Sequence, residues 1–191
     1  MDRNPSLVGT LVGRVAFVHS SFLRAVDDLD EEGFHARPGP KAPSVAFHLW
    51  HAAGWADALQ ERLGVFVPEL DRLAGREQLW NARDLAKAWG LAGSLGIEAT
   101  GSGLDDDASA ALPLPAKGEV VRYASDAFAA AEEALGAIRD DELLLPSADF
   151  DDEGGWVLLH QFGWHLIHGS RHLGMIEALK GVLGVRGTVT A

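Results

Sequence analysis

The chain contains no cysteine. That absence excludes disulfides, thiolate metal ligands and a cysteine nucleophile together, so any thiol chemistry needs a thiol from outside. Basic residues are scarce: 16 Lys and Arg stand against 28 Asp and Glu, a formal net charge of −12. A surplus of that sign gives no general attraction to nucleic-acid phosphate or anionic lipid, so neither nucleic acid nor membrane is expected as a partner. Long hydrophobic runs are missing too. The apolar stretch from Leu7 to Val18 is interrupted by Gly13 and Arg14, and nothing approaches the ~20 apolar residues that span a bilayer. The early acid Asp2 and the lack of a basic start argue against a signal peptide. A soluble, cytoplasmic protein is the expectation. With 191 residues, 47% of them hydrophobic, the chain has enough apolar surface for one sizeable core, and one domain over 1–191 is expected.

What is present is helical periodicity. Leu7, Leu11, Val15, Val18, Phe22 and Val26 recur at spacings of three and four, with Ser6 as a cap, which predicts a first helix running toward Glu32. Pro38 and Pro40 force a loop. A second helix after Pro43 carries Phe47, His48, His51, Trp55 and Leu59 along one side before Gly64 and Pro68 close it. Residues Glu69 to Gly93 read as helical around Leu79, Trp80, Leu85 and Trp89, and the Gly, Ser, Asp and Pro of Gly93 to Lys117 read as a long loop. A third bundle helix buries Val120, Ala124, Phe128, Ala131, Leu135 and Ile138, and a fourth runs from near Trp156 to about Lys180. No strand pattern, repeat or transmembrane segment stands out. The expected fold is all-α: a four-helix bundle with an inserted helical segment and a long loop.

The chemistry-bearing residues are histidines. His168 and His172 are four apart and share a helix face, a spacing that lets two imidazoles hold one metal ion. The line through them includes His165 and continues to Met175, Ile176 and Leu179, so it points into the bundle. A run of buried imidazoles is costly unless hydrogen bonds or a metal satisfy the ring nitrogens. A third ligand is available on the second helix, from His48 or His51, which leaves the fourth position of a tetrahedral ion open. His165 is a second-shell residue or a substitute for His168. His160 lies about 80° from His168 around the helix and falls outside the site. His19 follows the buried stripe of the first helix and reads as a satisfied core histidine, and His35 reads as a solvated loop residue. The acidic clusters at Asp27–Glu32, Asp105–Asp107 and Asp149–Glu153 lack the ordered pattern of an EF-hand and read as solvated. Gly101-Ser102-Gly103 lacks the strand-to-helix context of a phosphate loop. Asp57, about 240° around the helix from His51, is a weak candidate for a general base.

The segment Leu49-Trp50-His51-Ala52-Ala53-Gly54-Trp55-Ala56-Asp57, followed over a hundred residues later by His168-Gly169-Ser170-Arg171-His172 and Gly174, resembles the DinB-like (YfiT-like) superfamily of metalloenzymes. The resemblance covers most of the chain. It implies a four-helix bundle with a divalent metal, commonly zinc or nickel, held by one histidine of the second helix and two of the last. Carried onto this sequence, those ligands fall on His51, His168 and His172, with His48 and His165 as second-shell or alternative ligands. Relatives often have Arg-Gly-Gln after the last ligand, where this chain has Leu173-Gly174-Met175.

The resemblance also implies enzymes, transferases and isomerases, that employ low-molecular-weight thiols such as mycothiol or bacillithiol. A metal-dependent enzyme using such a thiol on a small-molecule substrate is therefore the first expectation. A metal-dependent hydrolase, with an acidified water, is the direct chemical alternative. A non-enzymatic, stress-related metal- or small-molecule-binding bundle is the third. Trp50, Trp55 and Trp164 are candidates for shaping an apolar pocket near the histidines, with packing in the core the commoner use of each, and a homodimer is implied by the relatives alone.

Overall fold

The computed structural model describes residues 6–93, 95–148 and 155–188. Four long helices form the frame: α1 (Leu7–Asp27), α3 (Val45–Phe66), α7 (Lys117–Gly136) and α8 (Leu158–Val182). Between them lie the short α2 (Glu31–His35), α4 (Leu79–Ala82), α5 (Leu85–Ala88) and α6 (Asp106–Ala111), with 3₁₀ turns at Pro68–Leu73 and Asp140–Glu142. Among the described residues there is no strand, only isolated bridges at Ile97/Ser102 and Pro146/Val157. The expected all-α bundle with an inserted helical segment is thus the observed one. No helix among the described residues is long and apolar enough to cross a membrane.

The expected cap at Ser6 forms, its Oγ accepting from the Gly9 N–H at 2.8 Å, and Ser44 caps α3 in the same way, its Oγ accepting from the Phe47 N–H at 3.2 Å. Helix α3 is the central element, packing against α7 and α8 and burying nearly its whole circumference from Val45 to Leu63. Its alanines and Gly54 let neighbours approach closely, which explains why a helix with two histidines and an aspartate sits in the middle of the molecule. Around it one apolar cluster gathers Phe22, Phe47, Trp50, Trp80, Tyr123 and Phe128, and another gathers Val15, Leu63, Leu70, Leu135, Leu158 and Phe162.

Three expectations need correction. The first helix stops at Asp27 rather than running to Glu32, because the Asp30 side chain caps a new helix by accepting from the Gly33 N–H at 2.8 Å. His35 consequently ends α2 instead of lying in a loop, 3.2 Å from Glu31 one turn back. The stretch Glu69 to Gly93 is broken into a 3₁₀ turn and two single-turn helices instead of one continuous helix. The break has a tertiary cause: the fully buried Asp57 carboxylate accepts from the Leu79 N–H (2.8 Å) and the Trp80 N–H (2.9 Å), starting α4 where side-chain periodicity shows no boundary. The long loop after Gly93 contains α6, capped by Asp105, and a tight turn with Glu98 and Ala99 at positive φ. The acidic segment Asp149–Glu153 lies outside the described residues.

Candidate metal centre

Histidines 51, 168 and 172 converge where α3 faces the middle of α8. Their ring centroids are 4.9 Å (His51–His168), 4.4 Å (His51–His172) and 4.6 Å (His168–His172) apart. Each offers one nitrogen such that all three lie within 4.8 Å of one another. The His51 and His168 Nε2 atoms are 3.0 Å apart. A tetrahedral ion with metal–nitrogen bonds of about 2.0–2.1 Å spaces its ligands about 3.3 Å apart, so small side-chain rotations suffice to seat one. Three nitrogen donors, with no carboxylate or thiolate among them, suit a divalent ion of intermediate softness.

The surroundings prepare the rings for that role. His51 donates its Nδ1–H to the carbonyl oxygen of Thr100 at 2.6 Å, which leaves Nε2 as a lone pair aimed at His168. Its ring also stacks on Phe47 at 5.8 Å and 11°. His172 has its Nδ1 3.0 Å from the His48 Nδ1, so its Nε2 is the nitrogen free for a cation. His48 therefore touches a candidate ligand from behind instead of joining the trio. Burial pushes His168 and His48 down to about 4 and His172 to about 2, with repulsion between neighbouring rings adding to the shift. Burial lowers His51 as well, against the opposing effect of its bond to Thr100. All these imidazoles are neutral at pH 7, the form that coordinates a metal.

The remaining histidines separate cleanly from the trio. His165 turns away, its Nε2 2.9 Å from the Nε2 of His19, so it does not substitute for His168. His19 is buried, stacked on Phe128 at 4.1 Å, and donates its Nδ1–H to Glu132 Oε1 at 2.8 Å. That fits the reading of a satisfied histidine, with partners on two other helices. His160 accepts from the Val157 N–H at 3.0 Å and caps its own helix. Asp57 points away from the site: besides α4 it accepts from the Tyr123 hydroxyl (3.1 Å) and the Gln60 amide (3.4 Å), an anchoring role and not that of a general base. Burial raises its pKa, and these donors oppose the rise.

One functional position escaped sequence reasoning altogether. Thr100 acts through its backbone carbonyl, which no residue type announces. The traces it leaves are two glycines. A Cβ on Gly54 would come within 3.2 Å of the Thr100 backbone, and one on Gly101 (φ +87°) would come within 2.8 Å of Trp50 and 3.0 Å of Phe47. The close approach of this loop to α3 leaves no room for a side chain at Gly101 and little at Gly54.

Beside His168 a cleft opens between α3 and α8, lined by Trp55, Leu59, Arg62, Gln161, Trp164 and His165. Trp164 stacks near His168 at 6.4 Å, and the Arg62 guanidinium lies 5.3 Å from the rings of Trp55 and Phe66 while bonded to Glu98. Trp55 and Trp164 thus form walls of this cleft. Trp50 does not: it is fully buried against Trp80.

A DinB superfamily model matches residues 15–176, a range that covers α3 and α7 whole, most of α1 and α8, and the three converging histidines. The chain belongs to the DinB superfamily. Its fold is shared with a conserved protein from Enterococcus faecalis, whose crystal structure superposes with a TM-score of 0.74 over 94% of this chain and 99% of that one. At 14% identity that likeness speaks for the fold alone. No curated protein matches the chain. Membership of the DinB superfamily agrees with the order of the histidine motifs along the chain.

Proposed function

We propose that this DinB-superfamily protein is a metal-dependent enzyme that uses a low-molecular-weight thiol for a transferase- or isomerase-type reaction on a small molecule. The observation that carries the reading is the convergence of His51, His168 and His172 beside an aromatic-walled cleft, in a chain without cysteine. Zinc or nickel suits three imidazoles, and the bound ion would supply positive charge that favours the ionised form of a nucleophile at the open fourth position. The protein's own residues do the rest. Thr100 and His48 orient two of the three rings, so the donor set is organised in advance of binding. Trp55 and Trp164 present flat apolar surface next to His168, against which an apolar part of a substrate would rest.

A hydrolytic reading draws on the same donors, since three neutral imidazoles leave the full charge of a divalent ion to act on water. The two are separated by experiment. Protein purified without a histidine tag is analysed for metal. Metal-loaded protein is then screened for transfer and isomerisation with mycothiol, bacillithiol, glutathione and coenzyme A, beside ester and amide hydrolysis without thiol. His172→Ala serves as the metal-deficient control. Turnover that requires a thiol and vanishes in the control supports the proposal. Thiol-independent hydrolysis lost in the control replaces it with the hydrolase, and stoichiometric metal with no turnover in either branch favours a binding protein.

A further inference from the structure

A second cluster of ionisable groups lies next to the candidate metal centre and takes no part in holding a cation. Glu132 on α7, His19 on α1 and His165 on α8 form one hydrogen-bonded row through three helices: Glu132 Oε1 to His19 Nδ1 is 2.8 Å, and His19 Nε2 to His165 Nε2 is 2.9 Å. Its outer end is wet, because Glu132 is 32% exposed and lines, with Phe17, Ser20 and Ser125, an open groove between α1 and α7. Its middle is dry, with His19 at 3% exposure and stacked on Phe128. Its inner end, His165, lines the same cleft as His168.

The protonation pattern follows from the outer end inward. The Glu132 carboxylate accepts, so His19 carries its proton on Nδ1 and presents a lone pair at Nε2. His165 must then donate from Nε2, which leaves its Nδ1 as a lone pair able to accept a proton as the Nε2–H is passed on. These bonds satisfy both ring nitrogens of the buried His19, and they also join a solvent-exposed carboxylate to a ring that lines the cleft beside His168. We propose that Glu132, His19 and His165 form a proton relay between the cleft at His168 and the groove on the opposite side of α1.

The relay rests on the proposed function, whose nucleophile supplies the proton. Ionisation of an S–H or O–H in the cleft sends its proton to His165 Nδ1. The Nε2–H of His165 passes to His19 Nε2, the Nδ1–H of His19 passes to Glu132, and Glu132 releases a proton to water. Each group of the row loses one proton as it gains one, so the row itself keeps its charge, and the negative charge left behind stays on the nucleophile, where a bound cation would balance it. When the leaving group of a transfer, or the thiol released after an isomerisation, takes up a proton in the cleft, the row runs backward and recovers its starting tautomers.

The test follows proton movement rather than turnover. Cobalt(II)-loaded protein is mixed with 2-mercaptoethanol in weak buffer. A sulfur-to-cobalt charge-transfer band reports thiolate binding, and a pH indicator reports the released proton. Glu132→Gln is the decisive variant, because an amide oxygen still accepts from His19 but cannot take up its proton. The relay requires Glu132→Gln to bind cobalt normally and to reach the same final band, but at least tenfold more slowly. Adding 2,6-lutidine, a base too hindered to coordinate, should restore the rate. His19→Gln should behave alike. A wild-type rate in both variants, or slowing that lutidine does not relieve, overturns the relay while leaving the metal–thiol reading intact. Failure of the unaltered protein to take up cobalt or to give the band overturns that reading, and the relay with it.

Discussion

The Nδ1–H of His51 reaches the carbonyl oxygen of Thr100, 49 residues further along the chain, at 2.6 Å. This one bond fixes the tautomer of a candidate ligand and ties the loop before α6 to the central helix. Any cation held by this trio would thereby be coupled to a backbone position remote from the histidine motifs.

Removal of any of His51, His168 or His172 by alanine should abolish stoichiometric binding of a divalent ion, whereas His35→Ala and His160→Ala should retain it. His48→Ala should bind about 10- to 100-fold more weakly, since it removes only the group behind His172. Elemental analysis and competition with a chromogenic chelator measure both. Equal metal content in all six variants would remove the site assignment.

Gly101→Ala should weaken metal binding about tenfold and lower stability by about 1–3 kcal/mol, because the new methyl meets Trp50 and Phe47 at a positive-φ position and pushes Thr100 off α3. Gly103→Ala shares the positive φ (+83°) but meets nothing within 4 Å. It should cost about 1 kcal/mol and leave affinity unchanged. Calorimetric titration of both variants distinguishes a strained loop from a displaced ligand.

Acid should destabilise the metal-free protein well above the carboxylate range. His48, His168 and His172 are lowered from 6.5 to about 4, about 4 and about 2 in the folded state, and His165 to about 3. Between pH 6.5 and about 4 the unfolded chain therefore binds more protons than the folded one, so stability present above pH 6.5 is lost as pH falls through this window. Each such ring contributes at most about 1.4 kcal/mol per pH unit, less where solvent screens it. Thermal melts of metal-free protein from pH 7 to 4.5 should show a falling midpoint, and saturating metal should delay the fall. A flat profile would mean that these rings are not held neutral.

Asp57→Ala should cost about 3 kcal/mol and lower the melting midpoint by about 6–12 °C, since it strands the Leu79 and Trp80 N–H groups and the Tyr123 hydroxyl without their acceptor. Metal content should stay at the wild-type level. Denaturant titration and elemental analysis on one preparation check both halves. Loss of metal with full stability would instead return Asp57 to the site.

The long helices were legible because burial leaves a period. Leu7, Leu11, Val15 and Phe22 repeat as one face of a helix must, and Ser6 and Ser44 mark helix starts through bonds to nearby N–H groups. The short elements were not legible, because their boundaries are set across space. Nothing between Glu69 and Gly93 shows that a carboxylate from Asp57 interrupts the helix there. His35 was misplaced for a related reason: one Asx cap at Asp30 restarted a helix where the acidic run looked solvated.

The same division runs through the site. Sequence alone determined that His168 and His172 share a face, since four residues on an α-helix bring side chains into line whatever surrounds them. Helix geometry left His48 and His51 both open as a third ligand, and only the motif resemblance pointed to His51. The tertiary structure brought His51 to the pair and set His48 behind His172, turned His165 toward His19, and supplied Thr100 as the partner that sets the tautomer of His51. Local periodicity states only which residues share a face. Which face meets which neighbour depends on packing between helices far apart in the chain, and on backbone carbonyls that no residue type encodes.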